Sequence, residues 1–273
     1  RPYHGVRELV HEDAVIAESA SPLFRLAPYI VFGAMVAAAA VIPSMGTGLP
    51  FRSAADAIAL VGLLAIARVF MSLAAMDIGT AFGTLGARRD MMIGFLAEPA
   101  LLMVIFVASL LSATTALPLI AERLVVQPLA LYPSLAFTAV AFTMVLLAEN
   151  ARIPVDNPAT HLELTMIHEA MLLEYSARHL ALMEWAAALK LFNYACIGFA
   201  LFVPWGTSIG ETGIGALALS IPALLAKLVV AGLWLALLET VSAKLRVFRA
   251  PEFLATAFMF AVLGLLVHLL LGA

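Results

Sequence analysis

The chain has 273 residues, 64% of them hydrophobic and only 12% charged, with a formal net charge of −3. A soluble domain of this length carries roughly twice that charged fraction, so a water-soluble enzyme is excluded. No basic field suits nucleic acid. The single cysteine, Cys196, rules out an intrachain disulfide framework and a thiolate metal or iron–sulfur site built by this chain alone.

Residues 1–20 are mixed polar. Val6, Leu9 and Val10 are spaced to line one face of an expected short interfacial helix, followed by the acidic residues Glu12 and Asp13. Residues 1–25 are expected to form an amphipathic cytoplasmic segment. The single transmembrane domain is expected to occupy 26–273 as an all-α polytopic bundle. Seven apolar runs predict its spans: Leu26–Ile42, Ala55–Met76, Met92–Leu117, Leu131–Leu147, His179–Trp205, Ile214–Leu238 and Phe253–Leu271. Only helices can satisfy the backbone of such runs within lipid. Pro43, Pro118, Pro133, Pro154, Pro158, Pro204 and Pro251 punctuate the gaps.

The flanking cations set the orientation. Ten of them (Arg1, Arg7, Arg25, Arg88, Arg89, Arg152, Arg178, Lys244, Arg246 and Arg249) fall in the amino-terminal segment and in the connections after spans two, four and six. Arg52 and Arg123 alone fall on the other side. Cationic loops stay on the cytoplasmic side, so those three connections and the amino terminus are expected in the cytoplasm.

Charges inside the spans are the residues most in need of an explanation. Arg68, Glu98, Glu184, Lys190 and Lys227 lie within predicted spans, and Glu149 and Glu239 at cytoplasmic ends. Each would cost about 2.5–3.5 kcal/mol at the bilayer centre if it faced lipid. They are therefore expected to face the bundle interior, a hydrated cavity or one another. Glu98, Glu149, Glu184, Lys190, Lys227 and Glu239 are the candidate proton or ion pathway, in which carboxylates pass protons and lysines tune them. Buried ion pairs holding helices in register are the alternative use of the same residues.

Two polar segments stand out between spans. Gly79–Asp90 reads as a cytoplasmic connection whose glycines permit tight turns or close approach; its Arg88 and Arg89 anchor the orientation or bind a partner. The segment 149–178 is the densest in polar residues, and connections of that length are usually functional. Its early half carries Pro154 and Pro158; Leu162–Tyr175 has helical composition and too many apolar residues to be left in water. Arg152, Asp156 and Glu163 make it a candidate docking surface. His161 and His168 lie near Glu163 and Glu169, yet the spacing is not that of zinc hydrolases, and no metal site or catalytic residue is expected here.

Glu149-x-x-Arg152-x-Pro154-x-Asp156, followed by Glu163-Leu164 and Glu174-Tyr175-Ser176, resembles the cytoplasmic loop of the proximal membrane subunit of NADH:quinone oxidoreductase. In full, the loop is more similar to that of membrane-bound [NiFe]-hydrogenases of the formate hydrogenlyase and hydrogenase-4 type. Ala75–Thr80, Gly86–Met91 with Ala97–Ala100, and the Glu239–Glu252 stretch fit the same subunit. The resemblance implies eight helices, the first preceding Arg1. It also implies a place between a soluble redox arm and antiporter-like membrane subunits, with no catalysis by this chain alone. Glu98, Glu149, Asp156, Glu163 and Glu184 then match acids on the path from arm to membrane, and Arg152 the loop's basic residue. The implied partners are the hydrogenase large and small subunits and an iron–sulfur protein, which would hold the [NiFe] centre and the iron–sulfur clusters. The quinone-reducing relatives have a different stretch where Thr165–Leu173 carries His168 and Glu169, which favours the hydrogenase branch. A quinone-site subunit is the alternative. A stand-alone secondary transporter is remoter, since no self-similar halves are seen.

Overall fold

A computed structural model describes residues 20–48, 55–126, 133–152, 167–209, 214–242 and 249–271. Most of the amphipathic segment, most of the docking loop and its Asp156 and Glu163 lie outside these residues. Within them the chain forms helices α1 (Pro22–Val41), α2 (Ala57–Asp77), α3 (Ala81–Ser112), α4 (Leu117–Val126) and α5 (Pro133–Glu149). After the loop come α6 (His168–Leu172), α7 (Ala177–Phe202), α8 (Ile214–Val241) and α9 (Ala250–Leu271). Six of them are long and apolar enough to cross a membrane, and α5, at 17 residues, is a shorter apolar helix. That length is at the lower limit for a span. The described residues contain no strand, only isolated bridges such as Gly46 with Ser208. The protein is an all-α, multi-pass membrane protein.

Local chemistry accounts for the helix starts. Ser21 caps α1 by accepting from the Leu23 amide, with Pro22 in the first turn where its missing N–H costs nothing. The Asp56 carboxylate accepts from the amides of Ile58 and Ala59 to cap α2, and the Thr115 hydroxyl donates to it at 2.6 Å. That last bond is the main reason the Asp56 carboxyl is held below the usual carboxylate range. It also ties α2 to the segment before α4 at one end of the bundle. At the opposite end the Ser21 amide donates to Asp77, closing α1 onto the end of α2.

Two elements differ from the sequence expectation. The segment Gly79–Asp90 is not a connection: Thr80 caps the Gly83 amide, and α3 runs unbroken from Ala81 for 32 residues. Its glycines serve close approach. A Cβ on Gly83 would lie 2.8 Å from the Ala75 carbonyl oxygen, and one on Gly86 2.8 Å from that of Ile167. Arg88 and Arg89 are therefore helical residues, Arg88 exposed and Arg89 partly so. At the other end Ala113 turns left-handed (φ 50°), stopping α3 before Leu117 and letting α4 start as a separate short helix.

The core sits among α1, α2, α3, α5, α7 and the inner face of α9. Tyr175 stacks on Phe24 with ring centroids 4.0 Å apart and donates its hydroxyl to the Phe24 carbonyl. The buried Asn193 amide donates to the Met35 carbonyl, pinning α7 to α1. By contrast α8 lies at the periphery: in its span Ala218–Val241 only 6% of the most apolar stretch is buried.

Candidate functional site

Arg68, on α2, is almost enclosed, with 6% of its side chain exposed. A guanidinium has five N–H donors and cannot deprotonate, so burial demands acceptors from neighbouring helices. Two carboxylates accept hydrogen bonds from it, and a third stands at ion-pair distance from Nε, which has no hydrogen-bond partner among the described residues. One guanidinium nitrogen bonds Glu149 at the end of α5, the other lies 3.3 Å from Glu98 on α3, and Nε lies 3.6 Å from Asp90, also on α3. Lys190, on α7, places Nζ 3.1 Å from the same oxygen of Glu149. The Ser72 hydroxyl donates to Asp90 at 3.2 Å, and the fully enclosed Tyr194 is hydrogen-bonded to Glu149.

Local sequence places each of these groups. Asp90 and Glu98 are eight residues apart on α3, so they share one face of the helix. Gly94, between them, leaves room for Arg68: a Cβ there would lie 2.8 Å from Arg68 Cδ and 3.0 Å from Cζ. Pro99 lacks the N–H that would bond the Phe95 carbonyl, which loosens the helix beside Glu98. With all groups ionised, two cations face three carboxylates, leaving one negative charge that a single proton would cancel.

Beside the cluster is a cavity of about 30 Å3, lined among others by Arg68, Asp90, Lys190 and His168. A water needs roughly 10–15 Å3 by this measure, so the chamber has room for one between polar groups. His168 reaches it from α6, whose Ala170 and Met171 are buried; α3 comes close there through Gly86. Burial, reinforced by the positive charge of Lys190, lowers the His168 pKa to about 4, with Asp90 opposing. Its imidazole is therefore neutral at pH 7. The chamber thus joins carboxylates, a neutral imidazole and space for water, groups that can exchange protons without a metal. Among the described residues no group of three or more His, Cys, Asp or Glu could hold a metal ion.

Of the six residues read from the sequence as a pathway, Glu98, Glu149 and Lys190 meet in this cluster. The other three do not join it. Met183 and Ala186 are buried on α7, and Glu184 between them is exposed, outside the bundle interior. Lys227, half-buried on α8, lies over the Phe199 ring at 5.8 Å from its centroid. Glu239 pairs with Arg152 at 3.6 Å, so the loop's predicted docking arginine already has a partner on α8. Asp90 was not among the candidates, because its segment reads as a connection; the signal was its eight-residue spacing from Glu98.

The whole-chain architecture has relatives. The family described as NADH dehydrogenase matches residues 2–270. The chain is 31% identical over 262 residues to formate hydrogenlyase subunit 4 of Escherichia coli (strain K12), covering 96% of this chain and 84% of that protein. It is 30% identical over 204 residues to hydrogenase-4 component C of the same organism, covering 75% of this chain and 64% of that one. In fold it is similar to a chain of the membrane-bound sulfane sulfur reductase, an archaeal respiratory membrane complex. That match has a TM-score of 0.82 and 18% identity, and covers 97% of this chain and 85% of the other. With a profile match and a relative that each span nearly its full length, this chain belongs to the NADH dehydrogenase family of membrane proteins and is homologous to formate hydrogenlyase subunit 4 and hydrogenase-4 component C.

Proposed function

We propose that the chain is the membrane anchor of a multisubunit hydrogenase. It docks a soluble [NiFe] and iron–sulfur arm on its cytoplasmic face and couples electron transfer to movement of protons, or sodium ions, in the membrane. The observation that carries this is the Arg68–Asp90–Glu98–Glu149–Lys190 cluster beside a chamber reached by His168. A fold needing only stability would gain as much from apolar packing, since buried ion pairs are weak stabilisers. The homology to formate hydrogenlyase and hydrogenase-4 subunits supports the choice of arm. The [NiFe] centre and iron–sulfur clusters lie on partner subunits, and antiporter-like subunits flank the chain in the membrane. Connections after the second, fourth and sixth spans face the cytoplasm, and the 149–178 segment, Asp156 and Glu163 included, is the platform for the arm.

In such an assembly, reduction or protonation events in the arm alter the charge facing the platform. Lys190 and Arg68 share one Glu149 oxygen, so a shift of either cation redistributes charge onto Glu98 and Asp90. A proton then moves by way of the chamber. Purification of the tagged chain from native membranes in mild detergent tests this. It should bring with it a nickel- and iron-containing protein that reduces dye with hydrogen. Recovery of the chain alone, or with partners lacking nickel, refutes the assignment.

A further inference from the structure

Lys227 stands apart from the buried cluster. It lies on α8 about 14 Å along the axis from the start of the span at Ala218 and about 21 Å from its end at Val241, near the bilayer midplane. Among the described residues no carboxylate pairs with it; the Phe199 ring and the Cys196 thiol are the neighbours that favour its charge. A lone cation at that depth costs about 2.5–3.5 kcal/mol even on lenient insertion scales. An exposed cation–π contact returns only about 0.5–1 kcal/mol. Phosphate headgroups are about 15 Å away, half the thickness of the hydrocarbon layer.

The same lysine lines a groove of about 500 Å3 between α5, α7 and α8, otherwise almost wholly apolar. Part of its lining is small, with Ala139, Ala195, Ala226 and Ala231 from three helices, which is the surface that lets another helix backbone approach closely. At its rim Val230 and Trp234 are 65% and 55% exposed. Lipid tails could fill an apolar groove but offer nothing to an ammonium group.

We infer that this groove seats a membrane-spanning helix of a partner subunit, and that this helix carries an Asp or Glu opposite Lys227. The pairing neutralises the lysine, completes the burial of α8, and fixes the partner in register. Lys227 is then a docking cation rather than a step in the proton path. The inference rests on the proposal that the chain works in a multisubunit membrane assembly.

The test uses the tagged full chain in native membranes, with photoreactive p-benzoylphenylalanine in place of Trp234 and, as control, of Leu219, which does not line the groove. Irradiation should link position 234 to a hydrophobic segment of a partner subunit that contains an Asp or Glu within one turn of the linked residue. Lys227→Glu should lower that yield about tenfold. Exchanging the partner's acid for Lys in the Lys227→Glu background should restore it. Adducts with lipid only, with a second copy, or with another segment of this chain overturn the inference, as does a linked segment without an acid or a yield indifferent to Lys227→Glu. If partners copurify but position 234 links only to lipid, this inference fails while the proposed function stands. Purification of the chain without partners defeats both.

Discussion

Arg152 Nη1 lies 3.6 Å from Glu239 Oε1, joining the end of α5 to the end of α8 at the face where the long loop begins. Both side chains remain about one-third exposed, at 35% and 28%. A pair of this kind contributes about 0.2–1 kcal/mol. A double-mutant cycle with Arg152→Gln and Glu239→Gln should therefore give a coupling in that range from thermal midpoints of the solubilised protein. Arg152→Gln should also release the soluble arm in mild detergent, whereas Glu239→Gln should not. Equal retention of the arm in both variants would make the arginine purely structural.

Arg68 is the centre of the buried cluster, and its removal leaves carboxylates without a cation. Arg68→Met should destabilise the folded chain by about 3–5 kcal/mol, read as loss of membrane-inserted protein or a steep fall in thermal midpoint. Gly94→Ala should do part of the same damage, about 1–3 kcal/mol, by driving a methyl group into the guanidinium stem. A neutral Gly94→Ala would mean that Arg68 is not held against α3.

Glu98 and Glu149 should separate cleanly. Glu98→Gln leaves Arg68 with Glu149 and Asp90, so assembly and hydrogen-dependent dye reduction should persist while ion movement into sealed vesicles falls. Glu149→Gln strips the shared acceptor from both Arg68 and Lys190, and the complex should be lost first. Normal ion movement in an intact Glu98→Gln complex would remove Glu98 from the path.

His168 gives a pH dependence of known sign. Its folded-state pKa of about 4 lies below the ordinary 6.5, so between those values the unfolded chain binds the proton that the folded chain refuses. Stability should fall as pH drops from 6.5 towards 4 and should lose no more through this group below that. His168→Gln should flatten that part of the curve, measured as thermal midpoint against pH. An unchanged slope would place the responsible group elsewhere.

Span order and type were legible because runs of Leu, Ala and Met of bilayer length admit only helices. Boundaries were less so. Pro22–Arg25 falls within the expected amphipathic segment but forms the capped first turn of α1. The largest miss, the first turns of α3, came from Gly79, Gly83 and Gly86. In a sequence they signal a turn, yet here Gly83 and Gly86 make room for Ala75 and Ile167. That miss hid Asp90 from the list of buried charges. The outward face of Glu184 was equally illegible, since a helix with apolar residues all round does not announce which side meets its neighbours. Convergence of Glu98, Glu149 and Lys190 depended on contacts far apart in sequence, which only the fold could bring together.

The members of the Arg68 cluster come from four separate helices, and synthesis delivers them in order: α2 first, then α3, α5 and finally α7. A newly inserted α2 therefore carries an unmatched guanidinium until α3 arrives with Asp90 and Glu98. Glu149 then adds a further negative charge, and Lys190 meets it only when α7 enters. Membrane insertion of this chain is thus an electrostatic relay in time, and a ribosome that stalled before α7 would leave the cluster with two uncompensated negative charges where the finished bundle has one.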